Sequence, residues 1–593
     1  MALYKGNQKY TISTNFSNDT NVVPLTATKD GVFTAPSGTT GYSPVTVNNT
    51  MPFSNMGNHC DKDGIWHKPA EWDDIESIDL TDKHEVYFLC ACHRTAHDWF
   101  RIRFYGGGTL KWSYGHVSNG TYTIHTNSTE TTVSSGAYIA LYLGNIADDY
   151  VVVRITATSY ISSCSFQAWS ATSDLNCAMP AMYQSVLMRY GRMIRGSTLA
   201  ASATYCMESD NIIDFAKYYQ GSTTAITVSS AYNGAFNLQR WRCTGWDLSQ
   251  NKITTFASMF NNCWCLTDTP DKIDCKGWVT SNTTTTASMF ANCYSLRCSI
   301  SAENWNLSNI TTMASTFTNC KGVKYIIGTE TWTSAPKCTN VSNLFNNCQI
   351  IRGTIDVSTC AFGGGTANLT TVANMFNGCQ SLTKINISNM NLSKCTTITY
   401  FLQSTQALKE LVMNNVTGIT STCTNTSYLA GYTGLEELVI NGWNFSGCTT
   451  AFLTYLSYYA MGLKKLSFTN CTAPTGVEIN DTVSCCYNRY AYNLEYLDMS
   501  FVDMSVFTNT KTHAEGFRDL YNLIDFYPPK NISKSFTLTN DYNLSHDSLV
   551  RVITNLKTLA TGTTATLTIG SYNIAKLSAA EKAVATGKGW TLA

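Results

Sequence analysis

Charge is scarce in this sequence. Lys, Arg, Asp and Glu make up 13% of the 593 residues, about half the usual share for a globular protein. Basic and acidic residues balance at 40 each, and no long basic run occurs. The electrostatic footprint of a nucleic-acid or anionic-lipid binder is therefore missing. Long apolar runs are also missing, so no membrane insertion is expected. The opening MALYKGNQKY has no apolar core of the kind a secretory signal needs. A protein with this start that works outside cells is expected to leave by another route, such as lysis of the cell that made it. No G-x-S-x-G, phosphate loop, H-E-x-x-H or dinucleotide fingerprint occurs. The expectation is no enzyme, no cofactor and no catalytic residue. Isolated carboxylates whose pairing a sequence does not show leave a glycosidase pair open.

Thr, Ser, Asn and Gly take the place of charge, with aromatics at 12% and hydrophobics at 44%. This is the composition of neutral, β-rich material, and too aromatic for a disordered tail. The 23 cysteines suggest disulfides until their positions are compared. Five segments align: SMFNNCWCL, SMFANCYSL, STFTNCKGV, NLFNNCQII and NMFNGCQSL. Each carries a Phe, then a Cys, then an aliphatic residue: Phe260, Cys263, Leu266; Phe290, Cys293, Leu296; Phe317, Cys320, Val323; Phe345, Cys348, Ile351; Phe376, Cys379, Leu382. Upstream lie Ile253, Thr283, Ile310, Cys338 and Leu369, then Ala257, Ala287, Ala314, Ser342 and Ala373. Such spacing predicts one face of a short helix. Downstream, the pattern L-x-x-L-x-apolar (Leu408, Leu411, Met413; Leu435, Leu438, Ile440; Leu463, Leu466, Phe468; Leu494, Leu497, Met499) predicts a strand with one buried face. A repeat of about 26 to 31 residues fits one strand and one helix.

One such unit cannot bury its own apolar face, but stacked units share a continuous core. The expected fold is an α/β leucine-rich-repeat solenoid of about eleven turns over 210–530. The cysteine column is expected to be a line of small buried hydrophobes and not a metal array. Residues after 400 place Leu402/Thr405 and Leu429/Tyr432 where Phe and Cys stood.

The pattern MF-x-x-C-x-x-L resembles the BspA-like leucine-rich repeats of bacterial surface proteins. So do the links Trp246-Asp247-Leu248-Ser249, Trp305-Asn306-Leu307-Ser308 and Trp443-Asn444-Phe445-Ser446. Near the N-terminus, Asp30-Gly31-Val32-Phe33-Thr34-Ala35-Pro36 and Gly41-Tyr42-Ser43-Pro44-Val45-Thr46-Val47 resemble a segment of tail and fibre proteins of gut bacteriophages. The opening Ala2-Leu3-Tyr4-Lys5-Gly6-Asn7 is similar to the start of virion proteins from such phages. The resemblance implies a virion protein, a tail fibre or related fibre, made in a bacterial cytoplasm and released by lysis. Its implied partners are other virion proteins and a host glycan or protein receptor. A homo-oligomer, plausibly a trimer, would add avidity. A bacterial cell-surface adhesin is the alternative, and a glycan depolymerase a further one.

The remaining segments read as follows: 1–50 a small β attachment segment, 51–176 a β-sandwich or jelly-roll domain, and 177–209 a linker and N-terminal cap of the solenoid, with a helix over 180–195 sealing its near end. Residues 531–593 read as a small α/β cap, with Ser545 or Asp547 starting one helix and LSAAEKAVATGKGW forming another. The run CACHRTAH offers Cys90, Cys92, His93 and His97, with His59, Cys60 and His67 upstream. These are zinc-ligand types, yet two cysteines two apart in a strand also share one buried face. No metal is expected. The recurring link Trp is expected to pack. The less regular Tyr455, Tyr458, Tyr459, Tyr487, Tyr490 and Tyr492 are candidate ligand contacts, because Tyr gives much contact area at low entropy cost.

Overall fold

The computed structural model describes residues 71–79, 83–92, 99–159, 253–264, 266, 272–276, 278–364, 369–448, 455–474, 491–506, 517 and 519–593, with isolated strands and turns elsewhere. The chain divides into two compact units, Met1–Trp66 and His67–Ala593. It is mostly β-structure in small sheets, with few helices and, among the described residues, no closed barrel. In the first unit, Ala2–Lys5 pairs antiparallel with Gln8–Thr11, and Val32–Thr34 pairs antiparallel with both Thr26–Ala27 and Val45–Thr46.

The second unit begins with two sheets. One has seven strands in the order Thr131–Val133, Leu110–Ser118, Tyr150–Ala157, Glu85–Ala91, Val186–Tyr190, Ile213–Asp214, with Thr121–Ile124 folded onto Leu110–Ser118. The other is Tyr138–Tyr142, Trp99–Gly106, Ile161–Phe166. Strand alternation sorts the side chains. Val86, Phe88 and Cys90 share a core with Phe100, Ile102 and Phe104, whereas Tyr87, Leu89 and Val152 face a second cluster under Ile75 and Ile78. The expected helix over 180–195 is corrected: Val186–Tyr190 is a strand antiparallel to Glu85–Ala91.

From Ile253 onward the repeats pair in parallel. Ile273 lies opposite Ile300, and Ile300 opposite Ile326. Ile355, Ile385 and Leu411 follow in register, then Leu438, Leu466, Leu497 and Phe526. Phe260, Phe290, Phe317, Phe345 and Phe376 form one buried spine, with neighbouring rings stacked at 5.2, 5.8, 5.6 and 5.6 Å. Trp305 and Trp332 stack at 5.7 Å, and their indole N–H groups donate to the carbonyls of Cys275 and Ala302. The link tryptophans Trp305 and Trp443 are buried; Trp246 lies outside the described residues.

The helix expected before each strand is corrected. Over Phe256–Cys263 the backbone is a run of overlapping turns, with Ser258 at φ 54° and Asn262 at φ 62°. Every N–H in the run has a partner. Those of Phe256, Ser258, Phe260 and Asn262 donate to Thr285, Ala287, Met289 and Ala291 of the next repeat, and those of Met259, Asn261 and Cys263 donate three residues back. The Ala257 N–H donates to Thr255 Oγ1. This satisfies the backbone as fully as a helix would, but half of the bonds are shared with a neighbour. The turn explains the composition: Thr or Asn starts each run with a side-chain bond two residues on, and Ser, Asn and Gly populate the left-handed positions. Upstream, Ile253, Thr283, Ile310, Cys338 and Leu369 are buried as expected, but the next buried position is that of Phe256, Met313 and Val341, not the half-buried Ala257 and Ala287.

The last 58 residues use helices. Parallel strands Phe536–Thr537, Ala565–Thr568 and Trp590–Leu592 alternate with helices His546–Asn555, Gly570–Ala575 and Ala579–Gly587. Ser545 caps the first. Ser578 and Glu581 form a reciprocal capping box on the last, satisfying two otherwise orphaned donors.

Candidate functional site

All fifteen Phe, Cys and aliphatic residues of the five aligned segments are buried. The cysteine column has a chemical reason. The thiols of Cys293, Cys320, Cys348 and Cys379 donate to the carbonyls of Phe260, Phe290, Phe317 and Phe345 in the preceding repeat, at 3.2, 3.1, 3.0 and 3.1 Å. A small apolar side chain with a weak donor fits that place. Where Thr405 replaces Cys, its hydroxyl donates to the Leu402 carbonyl instead. No described cysteine is in a disulfide. Burial pushes the Cys348 thiol up to about 12 and raises those of Cys320 and Cys379, so the column holds neutral thiols and not nucleophiles.

Cys90 and Cys92 are likewise buried in the core, while His59, Cys60, His67, His93 and His97 lie outside the described residues. Among the described residues no cluster could hold a metal ion. A polar cluster that sequence spacing did not reveal sits on the seven-stranded sheet. Asp73 accepts the Val117 N–H at 2.5 Å and the Tyr150 hydroxyl at 2.8 Å, and lies 3.2 Å from His116 Nδ1. His125 Nδ1 accepts the Asn127 N–H, which leaves the Nε2 proton to face Asp148 at 3.2 Å. Burial and Asp73 push the Tyr150 phenol up to about 12. The partners are up to 77 residues apart, and only the sheet register brings them together.

The tyrosines are regular after all. The N–H of Leu402 donates to Leu429 and that of Ala430 to Leu456, so Ala430 and Thr433, not Leu429 and Tyr432, continue the Phe and Cys columns. In this register each repeat has two left-handed positions four residues apart. The first is held by Ser258, Ser288, Ser315, Asn343, Asn374, Tyr400, Tyr428 and Tyr455, and the second by Asn262, Asn292, Asn319, Asn347, Gly378, Ser404, Tyr432 and Tyr459. Early in the array the second position forms a ladder, with Asn292, Asn319 and Asn347 amides donating to Asn262, Asn292 and Asn319 at 2.9, 2.7 and 2.8 Å. Late in the array it is aromatic.

Tyr400 stacks on Tyr428 at 4.9 Å, Tyr428 on Tyr455 at 4.7 Å, and Tyr432 on Tyr459 at 5.1 Å, with Tyr458 edge-on to Tyr432, Tyr455 and Tyr459. All five left-handed tyrosines lie at φ 54–56°. A bulky residue there is an outlier, at a cost of roughly 1–2 kcal/mol each. Three stacked pairs return about 0.5–1.5 kcal/mol apiece, less than the five strained residues cost. Tyr400 and Tyr432 are 36% exposed and the other four half-buried. Strain of this kind clusters at functional sites, which makes these tyrosines the candidate site. Of the remaining candidates, Tyr492 is half-buried and packs against Tyr521 at 5.5 Å, apart from this group; Tyr487 and Tyr490 lie outside the described residues.

Residues 224–358 and 330–432 match the model of a family described as "Mycoplasma protein of unknown function, DUF285". The matched stretches hold the Phe–Cys repeats and the first two tyrosine-bearing turns. No curated protein and no solved structure matches the chain.

Proposed function

We propose that this chain is a binding protein, and that it serves as a receptor-binding component of a bacteriophage virion, a tail fibre or related fibre. On this reading the repeats form a leucine-rich-repeat solenoid whose outer side is built of turns. Support comes from the parallel strands with Ile and Leu in register and from the phenylalanine spine. The two-sheet region is read as a β-sandwich, and residues 1–50 as the attachment to other virion proteins, by their resemblance to fibre segments. Copies of the chain would act together as a homo-oligomer.

The observation that carries the binding role is the set of five left-handed tyrosines, which stand at two repeat positions held by Ser, Asn or Gly elsewhere in the same array without loss of backbone geometry. Their contribution is on the surface. The test has two arms. Particles purified from lysed host cultures should contain the chain, detected by mass spectrometry. Purified chain should compete with particles for adsorption to host cells, and the quadruple change Tyr428→Asn, Tyr432→Asn, Tyr455→Asn, Tyr459→Asn should abolish that competition. Recovery of the chain only from envelopes of uninfected bacteria would replace the virion role with that of a surface adhesin. A folded quadruple variant that competes normally would remove the tyrosines from the binding role.

A further inference from the structure

We infer that the tyrosine array is a binding site for an uncharged polysaccharide that lies along the stack of repeats. This rests on the receptor-binding reading above and narrows it to one class of ligand. Charge is the first argument. The three turn segments 398–408, 425–435 and 455–463 contain no Asp, Glu, Lys, Arg or His. A site for an acidic glycan, a phosphate-bearing lipid or a nucleic acid needs cations, and these segments supply none.

Ring geometry is the second. Tyr400, Tyr428 and Tyr455 stack nearly parallel, at 14° and 21°, as do Tyr432 and Tyr459, at 18°. The faces inside each column cover one another, so the column presents ring edges and phenol oxygens. That surface offers hydrogen-bond donors and acceptors beside apolar edges, matching the hydroxyls and C–H groups of a neutral sugar. The third is repetition. The same group recurs at a step of 4.7 to 5.1 Å, and a ligand that gains at each step is itself a repeating chain. The tyrosine backbones are held in place before binding, with the Tyr400 N–H donating to Ser427 at 3.0 Å and the Tyr432 N–H to Tyr458 at 2.8 Å. This lowers the ordering cost of association.

The experiment uses the full chain and three neutral polysaccharides (dextran, mannan and galactan) beside three anionic ones (alginate, polygalacturonate and heparin), measured by affinity electrophoresis and calorimetry at low and high salt. The expected result is binding to at least one neutral polymer, tighter with longer fragments and unchanged by salt. The quadruple Tyr→Asn variant should bind at least about tenfold more weakly, as for loss of an aromatic anchor. Asn already occupies these backbone positions in other repeats, so this variant keeps the fold, and far-UV circular dichroism with a melting curve verifies it. Binding to anionic polymers alone, salt-sensitive binding, or no binding to any neutral polymer overturns the inference, as does equal affinity of the variant. If no neutral polymer binds while the variant still loses competition for host cells, the ligand is of another class, a protein receptor being next, and the receptor-binding reading stands.

Discussion

Between Ile253 and Tyr459 the segment preceding each strand is a run of turns, whereas between Ser545 and Lys588 helices take that place. The two longer helices, His546–Asn555 and Ala579–Gly587, include good helix formers such as the Ala-Ala-Glu-Lys-Ala run at 579–583 and begin with Ser caps that take up N–H groups at their first turns. Even the last carbonyls of helix His546–Asn555 are met, by Lys588 Nζ, which donates to Ile553, Thr554 and Leu556. The turn segments are rich in Thr, Ser and Asn, which favour turns over helix interiors, and every second N–H goes to the next repeat. The difference teaches that a helix takes most of its N–H bonds from its own segment, while a turn segment sends every second one to its neighbour.

The comparison is broken most severely at the phenylalanine spine. Phe317→Ala removes a ring stacked on both sides and should cost about 3–5 kcal/mol in denaturant unfolding. Hydrogen exchange should accelerate in the repeats on both sides, since the loosened N–H groups of one are bonded to the other. Leu549→Ala, in the helical segment, should cost about 2–5 kcal/mol with faster exchange confined to the last three strands and their helices. Equal spread in the two variants would erase the distinction.

A second effect belongs to the junction between the two regions. Asp541 is fully buried; its Oδ1 accepts the Leu520 N–H, and its Oδ2 is buried without a hydrogen bond. Burial, then nearby Asp519, raises its carboxyl well above the usual range. The folded state therefore binds this proton more tightly than the unfolded one. Its effect on stability is most favourable below the ordinary carboxylate pKa and declines as pH rises through the raised one. Asp541→Asn should melt higher than the parent at pH 7, with the gap closing toward pH 4. A gap that widens in acid would reverse the assignment.

Capping sharpens the comparison on a smaller scale. Ser578→Ala should cost about 1 kcal/mol, the usual loss for a helix cap. The turn-starting equivalent, Thr312→Ala, which deprives the Ala314 N–H of its acceptor, should cost a similar amount, about 1 kcal/mol. Both are read from chemical melts. The smallest effect is expected for Tyr400→Asn, at the end of its column. It relieves one left-handed Tyr and loses one stacked contact, so stability should stay within about 1 kcal/mol of the parent. A large loss would make the tyrosine column structural.

The Phe, Cys and Leu columns were legible because burial enforces residue type at each repeat. The Ser545 cap was legible too, as was a strand and helix in 565–587, because local chemistry decides them. The turns were not, since apolar residues at Ile253, Phe256 and Phe260 have the spacing of a helix face. What chooses between the two is the bond from Ser258 to Ala287 of the next repeat, which no local pattern records. The tyrosines looked irregular for a related reason. A register one residue off, at Leu429 and Tyr432, hid their equivalence to Ser258 and Asn262. The Asp73, His116, His125 and Asp148 cluster depended on strand order alone.

Two left-handed positions per repeat give the array a fixed set of outward slots whose backbone does not depend on what fills them: Ser, Asn, Gly and Tyr all sit there at nearly one φ. On the binding role proposed above, specificity would be rewritten by exchanging slot residues, and reach extended by duplicating a whole unit, because the shared N–H bonds accept an inserted repeat but not a fraction of one. Scaffold and slot residue are then separable traits, free to diverge at different rates.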